Sequence, residues 1–499
     1  MVRHELARSS ALKSAAVLSA VIFSASALRA AGPVTFVKAY ANEILKTTQQ
    51  KDVTPYGVQA TSDGGYILLA STDCTTEACS KAQGNTNPLV SWLVKTDSAG
   101  NPQWQKELGC FSALGQYTIG VSVQQTTDGG YIVGGGEYNY ESCASGPVQD
   151  AIVEKLDSKG NLSWSKIYPM GSNGDGITAI RQTADGGYVA AGGVYEAGPS
   201  PGGGLVLKLD ASGNVQWQSV VGPMGPTTAW FLGIQPTSDG GYVTTGNYYT
   251  SSPQCQPFEC EGGLVVKLDA SGSVQWKQAL TAAASGSLWT DSIIQTSDGG
   301  YVTAGQWFGT NQKGGLLVKL DSNGNILWQN AYSGGSYLTQ ELGVGIYSVR
   351  QTADGGYFLA GDGNDKLAPQ PGVVVPWLGK VDSNGNLLWE YFYYQVYKPT
   401  GRSLSEYFAG GDVAKDGGYI AAGWTEDYAN GLGRLFVVKT DGSGLCGSCS
   451  DVHPDEGLTV VNPGLAISPA SLPVSTTTTP GVSSPSRTRL TAIIAEKDC

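Results

Sequence analysis

The sequence predicts an all-β fold: a seven-bladed β-propeller with four-stranded blades, its ring closed by an N-terminal strand in the last blade. Three observations carry this. The turn Asp-Gly-Gly-Tyr recurs seven times, at Asp63, Asp128, Asp185, Asp239, Asp298, Asp354 and Asp416, 54 to 65 residues apart. A second turn, Lys-x-Asp-x-x-Gly, alternates strictly with it, with aspartates at Asp97, Asp157, Asp210, Asp269, Asp321, Asp382 and Asp441. An orphan fourth strand, Val34–Tyr40, precedes the first repeat, and the last repeat lacks one. Self-similarity at this period marks a repeat architecture, and a four-stranded unit repeated radially is a propeller blade.

The clearest unit runs from Asp291 to Tyr332. IIQT enters the turn at Asp298 and YVTAG returns; GLLVKL enters the turn at Asp321 and ILWQNAY returns. Asp-Gly and Asn-Gly between β-branched runs signal hairpins, because the turn needs positive φ. Two hairpins in series make one antiparallel sheet. The 70 glycines sit at fixed offsets in this repeat and so mark turns.

In chain order, residues 1–30 read as a secretory signal. Arg3, Arg8 and Lys13 precede the apolar run Ala15–Phe23, and cleavage fits after Ala27 or Ala30. The run is too short for a spanning helix, which needs about 20 residues. The expected location is periplasmic or extracellular. Residues 31–445 are the propeller. Within Val34–Tyr40, Phe36 stands where Trp328 stands in the clearest unit, and Tyr40 where Tyr332 stands. Joining this strand to the last blade leaves no open sheet edge in the ring. Residues 446–499 form a tail; its stretch Ser471–Ser486, rich in Ser, Thr and Pro, reads as a linker or strap, and Leu490–Ile494 as a short strand.

Trp104, Trp164, Trp217, Trp276, Trp328 and Trp389 share one repeat position and read as packing between blades. Six residues before each Asp-Gly-Gly-Tyr aspartate the side chain is small: Gly57, Ser122, Ala179, Gly233, Ser292, Ser348 and Gly410. These fit strands crowded around an axis. The tyrosines of the same turns read as structural.

Nine cysteines in an exported chain are expected to pair. Cys74 with Cys79, and Cys255 with Cys260, each lie in one connection; Cys110 and Cys143 lie on the same face; Cys446, Cys449 and Cys499 form a last group. The odd count leaves one free or paired between chains. Cys446-Gly447-Ser448-Cys449 has redox-motif spacing but no βαβ context, so it reads as structural. Of two histidines, His4 lies in the signal and only His453 remains. That argues against a Ser-His-Asp triad or a histidine metal cluster. No cofactor is expected. Calcium at the Asp-Ser-Asn-Gly-Asn turns would lack the later acidic ligands of a calcium loop. The formal charge of −12 argues against nucleic acid or an anionic membrane as partner.

Both kinds of turn fall on one face of the disc and repeat almost unchanged. The opposite face carries loops that vary, and binding residues tend to sit on such loops. Its ligand-binding candidates are Trp230, Phe231, Trp289, Tyr337, Tyr397, Arg402 and Tyr407. Its catalytic candidates are the carboxylates Asp175, Asp291, Glu341 and Glu406, which would work as paired acid and base if two converged on a pocket.

The repeat QTxDGGYxxAG…LVKLDxxGNxxW, carried by Gln295–Tyr301 and Leu317–Asp321, resembles secreted bacterial and archaeal propeller-repeat proteins over about residues 34–445. Its second hairpin is similar to a shortened quinoprotein repeat, although the adjacent cysteines of quinone-dependent dehydrogenases are absent. In size and style the chain also resembles exported propeller hydrolases of sulfur compounds. The expectation is an exported propeller that binds a small-molecule, glycan or protein ligand on its variable face. The alternatives are a carboxylate-based hydrolase of a small sulfur compound or glycan, and a cell-surface structural component.

Overall fold

A computed structural model describes residues 33–40, 53–73, 89–111, 116–139, 148–169, 174–195, 202–222, 227–250, 260–282, 286–309, 313–333, 343–363, 374–393, 406–427 and 432–447, with tail segments 452–454, 459–461, 466–469 and 474–475. Seven antiparallel sheets form the blades of one ring. The first, innermost strands are Val53–Ala60, Gln116–Gln125, Gly174–Gln182, Thr227–Pro236, Ser287–Gln295, Gly345–Gln351 and Tyr407–Val413, defining blades 1 to 7.

Closure follows the expected plan. Phe36–Tyr40 pairs antiparallel with Leu432–Thr440 and supplies the outer strand of blade 7, with Phe36 opposite Lys439. Phe36 then meets Tyr66 of blade 1 edge-on at 6.2 Å. At the other junctions a tryptophan meets the next blade's tyrosine, as Trp104 meets Tyr131 at 5.5 Å and Trp276 meets Tyr301 at 5.7 Å. The Tyr40 hydroxyl donates to Gly100 O at 2.6 Å, as Tyr332 donates to Gly385 O at 2.8 Å.

The Asp-Gly-Gly-Tyr turn is built the same way throughout. In blade 1, Asp63 Oδ1 accepts from the Gly65 N–H at 3.0 Å, and Gly64 has φ +87. A Cβ on Gly65 would lie 2.0 Å from Thr96 O, so both glycines are required. The lysine of the second motif reaches back to this aspartate in every blade, from 2.7 Å at Lys319–Asp298 to 3.0 Å at Lys155–Asp128. A glutamine from the next blade caps four of the turns: Gln125 accepts from the Ser62 N–H at 2.6 Å, and Gln351 from the Ser297 N–H at 2.8 Å.

The tail has more structure than its composition suggests. Val452–Pro454 adds a fifth strand to the outer edge of blade 6, Thr459–Val461 to blade 5, Ala466–Pro469 to blade 4 and Val474–Ser475 to blade 3. It walks backwards around the ring, about one blade per seven residues. Edge pairing needs only backbone N–H and C=O groups, so no apolar pattern announces it. Leu490–Ile494 lies outside the described residues. Cys446 is buried and disulfide-bonded. No helix among the described residues is long and apolar enough to cross a membrane.

Candidate functional site

The innermost strands surround a cavity of about 530 Å³. Each runs from the loop face towards the Asp-Gly-Gly-Tyr face, and each carries a β-bulge. The bulged residues are Tyr56, Val121, Thr178, Leu232, Asp291, Tyr347 and Ala409. A bulge re-aims a side chain, and here Tyr56, Val121, Thr178, Leu232, Asp291, Tyr347 and Ala409 all line the cavity. The seven small residues that follow them line it too, which is where the sequence placed them.

The loop end of the cavity is acidic and phenolic. Asp291 of blade 5 and Asp362, from the second strand of blade 6, both line it. Burial, then the charge of Asp362, pushes the Asp291 carboxyl up to about 7. Its Oδ2 is buried with no hydrogen-bond partner. Burial likewise raises Asp362, opposed by the charge of Lys313. The Tyr347 hydroxyl donates to Asp362 Oδ2 at 3.0 Å, and burial followed by the Asp362 charge holds it in the neutral form. Tyr407 closes this end, stacked on Trp424 at 6.4 Å. Burial and the nearby charge of Asp362 thus favour the protonated form of Asp291.

The deeper end is basic. Arg181 and Arg350 line the cavity three residues further along their strands than the bulge. Arg350 Nε donates to Asp412 Oδ1 at 3.2 Å. Arg181 donates to Ile180 O at 2.7 Å and to Ser122 Oγ at 3.4 Å.

The expected residues divide. Asp291 and Tyr407 line the cavity. Glu406 does not: it is buried, accepts from Thr425 Oγ1, and its own N–H donates to Val374 O at 2.8 Å. Phe231 is a core residue at 0% exposure. Trp230 lies flat against Gly193 of blade 3, where no Cβ would fit. Trp289 donates from Nε1 to Glu261 Oε2 at 2.6 Å and meets Phe308 edge-on at 5.1 Å. These three aromatics therefore sit at blade junctions and not on the cavity wall, because the inner strand alternates between neighbouring blades and the axis. The Asp175 backbone pairs with Val194, and its side chain is outside the described residues. Tyr337, Glu341, Tyr397 and Arg402 also lie outside them. The His453 backbone pairs with Phe392 on the outer edge of blade 6, away from the cavity. No group of three or more metal-ligating side chains occurs among the described residues. In the second turns, the Asp321 carboxylate is occupied by Asn325 Nδ2 at 2.9 Å and by the Asn323 and Asn325 N–H groups.

Asp362, Tyr347, Tyr56, Arg181 and Arg350 were missed by the sequence reading. The repeats offered a signal for most of them. Seven and four residues before each turn aspartate the residue type varies freely, while the position six before stays small and the one five before is Val, Ile or Gly.

The family model described as outer membrane protein assembly factor BamB matches residues 202–416. The blades it covers are quinoprotein-repeat-like. No curated protein matches the chain. Among solved structures, the polysaccharide lyase Uly1 is similar at 9% identity and a TM-score of 0.43, over 82% of this chain and 98% of that one. Sqt1 of Chaetomium thermophilum aligns at 11% identity and a TM-score of 0.38, over 77% and 95%. The β-1,2-mannobiose phosphorylase of Listeria innocua aligns at 10% and 0.31, over 81% and 96%.

Proposed function

We propose that this is an exported propeller that binds a small polar ligand inside the loop end of its central channel. The observation that carries the reading is Asp291: a carboxyl with a buried, unpartnered Oδ2 and a raised pKa, on the wall of a 530 Å³ cavity shared with Asp362, Tyr347 and Tyr407. Convergent polar groups with perturbed titration in a cavity of this size are the usual mark of a ligand site. Export rests on the signal-like residues 1–30 and the cysteine content. The partial match to an outer membrane protein assembly factor supports an envelope location. The test is a thermal-shift screen of amines, amino acids, neutral sugars and organic acids. Compounds that stabilise the wild type should lose most of their effect in Asp291→Asn and Tyr407→Phe. Equal shifts in all three proteins would reject the channel as the site.

The Asp291–Asp362 pair favours one second reading, a hydrolase in which the protonated member acts as general acid. It predicts that Asp291→Asn abolishes turnover of a hydrolysable hit while the variant still binds it.

A further inference from the structure

Arg181 carries more positive charge into the channel than its surroundings neutralise. Its hydrogen-bond partners are neutral oxygens, Ile180 O at 2.7 Å and Ser122 Oγ at 3.4 Å, both reached from one terminal nitrogen. No carboxylate among the described residues forms an ion pair with it. The nearby Asp412 is committed elsewhere: its Oδ1 takes Arg350 Nε at 3.2 Å and the Val413 N–H at 3.0 Å, and its Oδ2 takes the Ala60 N–H at 3.0 Å. Two guanidiniums therefore share one carboxylate. Burial, then the Arg350 charge, lowers Arg181 to about 10, so it stays charged at neutral pH. Its remaining N–H groups form the planar fork that suits an oxyanion.

An unbalanced cation withdrawn in part from water is costly unless something compensates it. Among the described residues the seven buried lysines of the blades are each matched by one aspartate, as Lys208 is by Asp185 at 2.8 Å. Arg181 departs from that pattern, and it does so on the wall of the cavity. At about 3.3 Å per residue it lies just under roughly 10 Å from the level of the bulged residues that include Asp291.

We propose that Arg181 and Arg350 form an oxyanion-binding subsite at the deep end of the channel, taking a carboxylate or an inorganic oxyanion. This deepens the channel-site reading and rests on it only for the claim that one ligand spans both ends. That ligand would carry an anionic group at Arg181 and a cationic or hydrogen-bonding group at Asp291.

The test is isothermal titration of the mature chain with acetate, inorganic phosphate and 6-aminohexanoate, using wild type, Arg181→Gln and, as a charge control on the turn face, Lys415→Gln. The wild type is expected to bind acetate or phosphate, Arg181→Gln to weaken that binding about tenfold or more, and Lys415→Gln to leave it unchanged. Tightest binding of 6-aminohexanoate identifies an organic carboxylate as the source; tightest binding of phosphate identifies a free oxyanion; either upholds the subsite. No anion binding by the wild type, or equal binding by Arg181→Gln, overturns it. If Arg181→Gln does not fold, wild-type crystals soaked in selenate decide: an anomalous peak against the Arg181 guanidinium upholds the subsite, and none there overturns it. Oxyanion binding alongside amine binding that is indifferent to Asp291→Asn would reject the acidic-end reading while leaving the subsite standing.

Discussion

Asp291 of blade 5 and Asp362 of blade 6 share one wall of the channel, and the charge of Asp362 adds to burial in holding the Asp291 carboxyl up at about 7. The pair has a thermodynamic signature. An unfolded aspartate titrates near 3.8, so between that pH and about 7 the folded state holds a proton that the unfolded state has lost. Stability from this group is full below 3.8 and declines as pH rises to about 7. Asp291→Asn should flatten that decline and raise the melting temperature at pH 8. At about 1.4 kcal/mol per pKa unit the gain is bounded by roughly 4 kcal/mol, and water in the cavity reduces it. Asp362 and Tyr347 interact with it electrostatically, and Lys313 and Tyr407 interact with Asp362. Glu154, raised by burial to about 7 in blade 2, adds a slope of the same sign that Glu154→Gln should remove. Melting curves from pH 4 to 8 check both.

The acid limb has the opposite sign. Asp63, Asp128, Asp185, Asp239, Asp298 and Asp354 are lowered to about 2, with bonds from the paired lysine, the turn threonine and the second glycine outweighing desolvation. Their contribution is present above the unfolded value of 3.8 and lost as pH falls through about 2. Taken with Asp291 and Glu154, this places the stability maximum on the acid side of neutrality. A maximum at or above pH 8 in a pH series of melting temperatures would contradict it.

Ring closure depends on Phe36. It is 9% exposed and meets Tyr66 where tryptophan serves the other junctions. Phe36→Ala should cost about 3–5 kcal/mol, and Phe36→Trp should cost little, because the position already accepts an indole in six repeats. Urea unfolding of the two variants checks this. Equal, small losses would mean that the N-terminal strand contributes little to closing the ring.

The tail should act as an edge cover. Ending the chain after Ser450 removes the strands that pair with blades 3 to 6 and exposes four outer edges. The truncated protein should keep its β circular-dichroism signal, melt lower by several degrees, and self-associate with rising concentration by light scattering. A monomer of unchanged melting temperature would show that the pairing is incidental.

Most of the architecture was legible because it is repeated. Seven Asp-Gly-Gly-Tyr turns, seven buried lysines and six tryptophans each impose the same local geometry, and the orphan Phe36 completed the pattern. Of the cavity lining, part was legible. Asp291 and Tyr407 were found as polar residues near the loop face. Trp230, Trp289 and Phe231 lie at blade junctions; aromatic content alone does not separate a loop surface from a junction. Asp362 was hidden in a second strand, Y-F-L-A-G-D, and only the blade 6 register carries it to the channel, where it pairs with Gly345. Arg181 and Arg350 follow the small residues by two positions, so one face of the inner strand carries both. The tail strands were invisible because backbone pairing leaves no mark in side-chain pattern.

The most direct test of a channel site is to fill the channel without touching its polar groups. A Cβ on Gly57 meets nothing within 4 Å, so Gly57→Phe projects a ring into the cavity. Thermal-shift profiles of wild type and Gly57→Phe should be measured against the same panel of small amines, amino acids, sugars and organic acids. The account predicts that compounds stabilising the wild type lose their effect in Gly57→Phe while its own melting temperature stays within a few degrees. Identical hits and shifts in the two proteins, or no hit with the wild type, would contradict it.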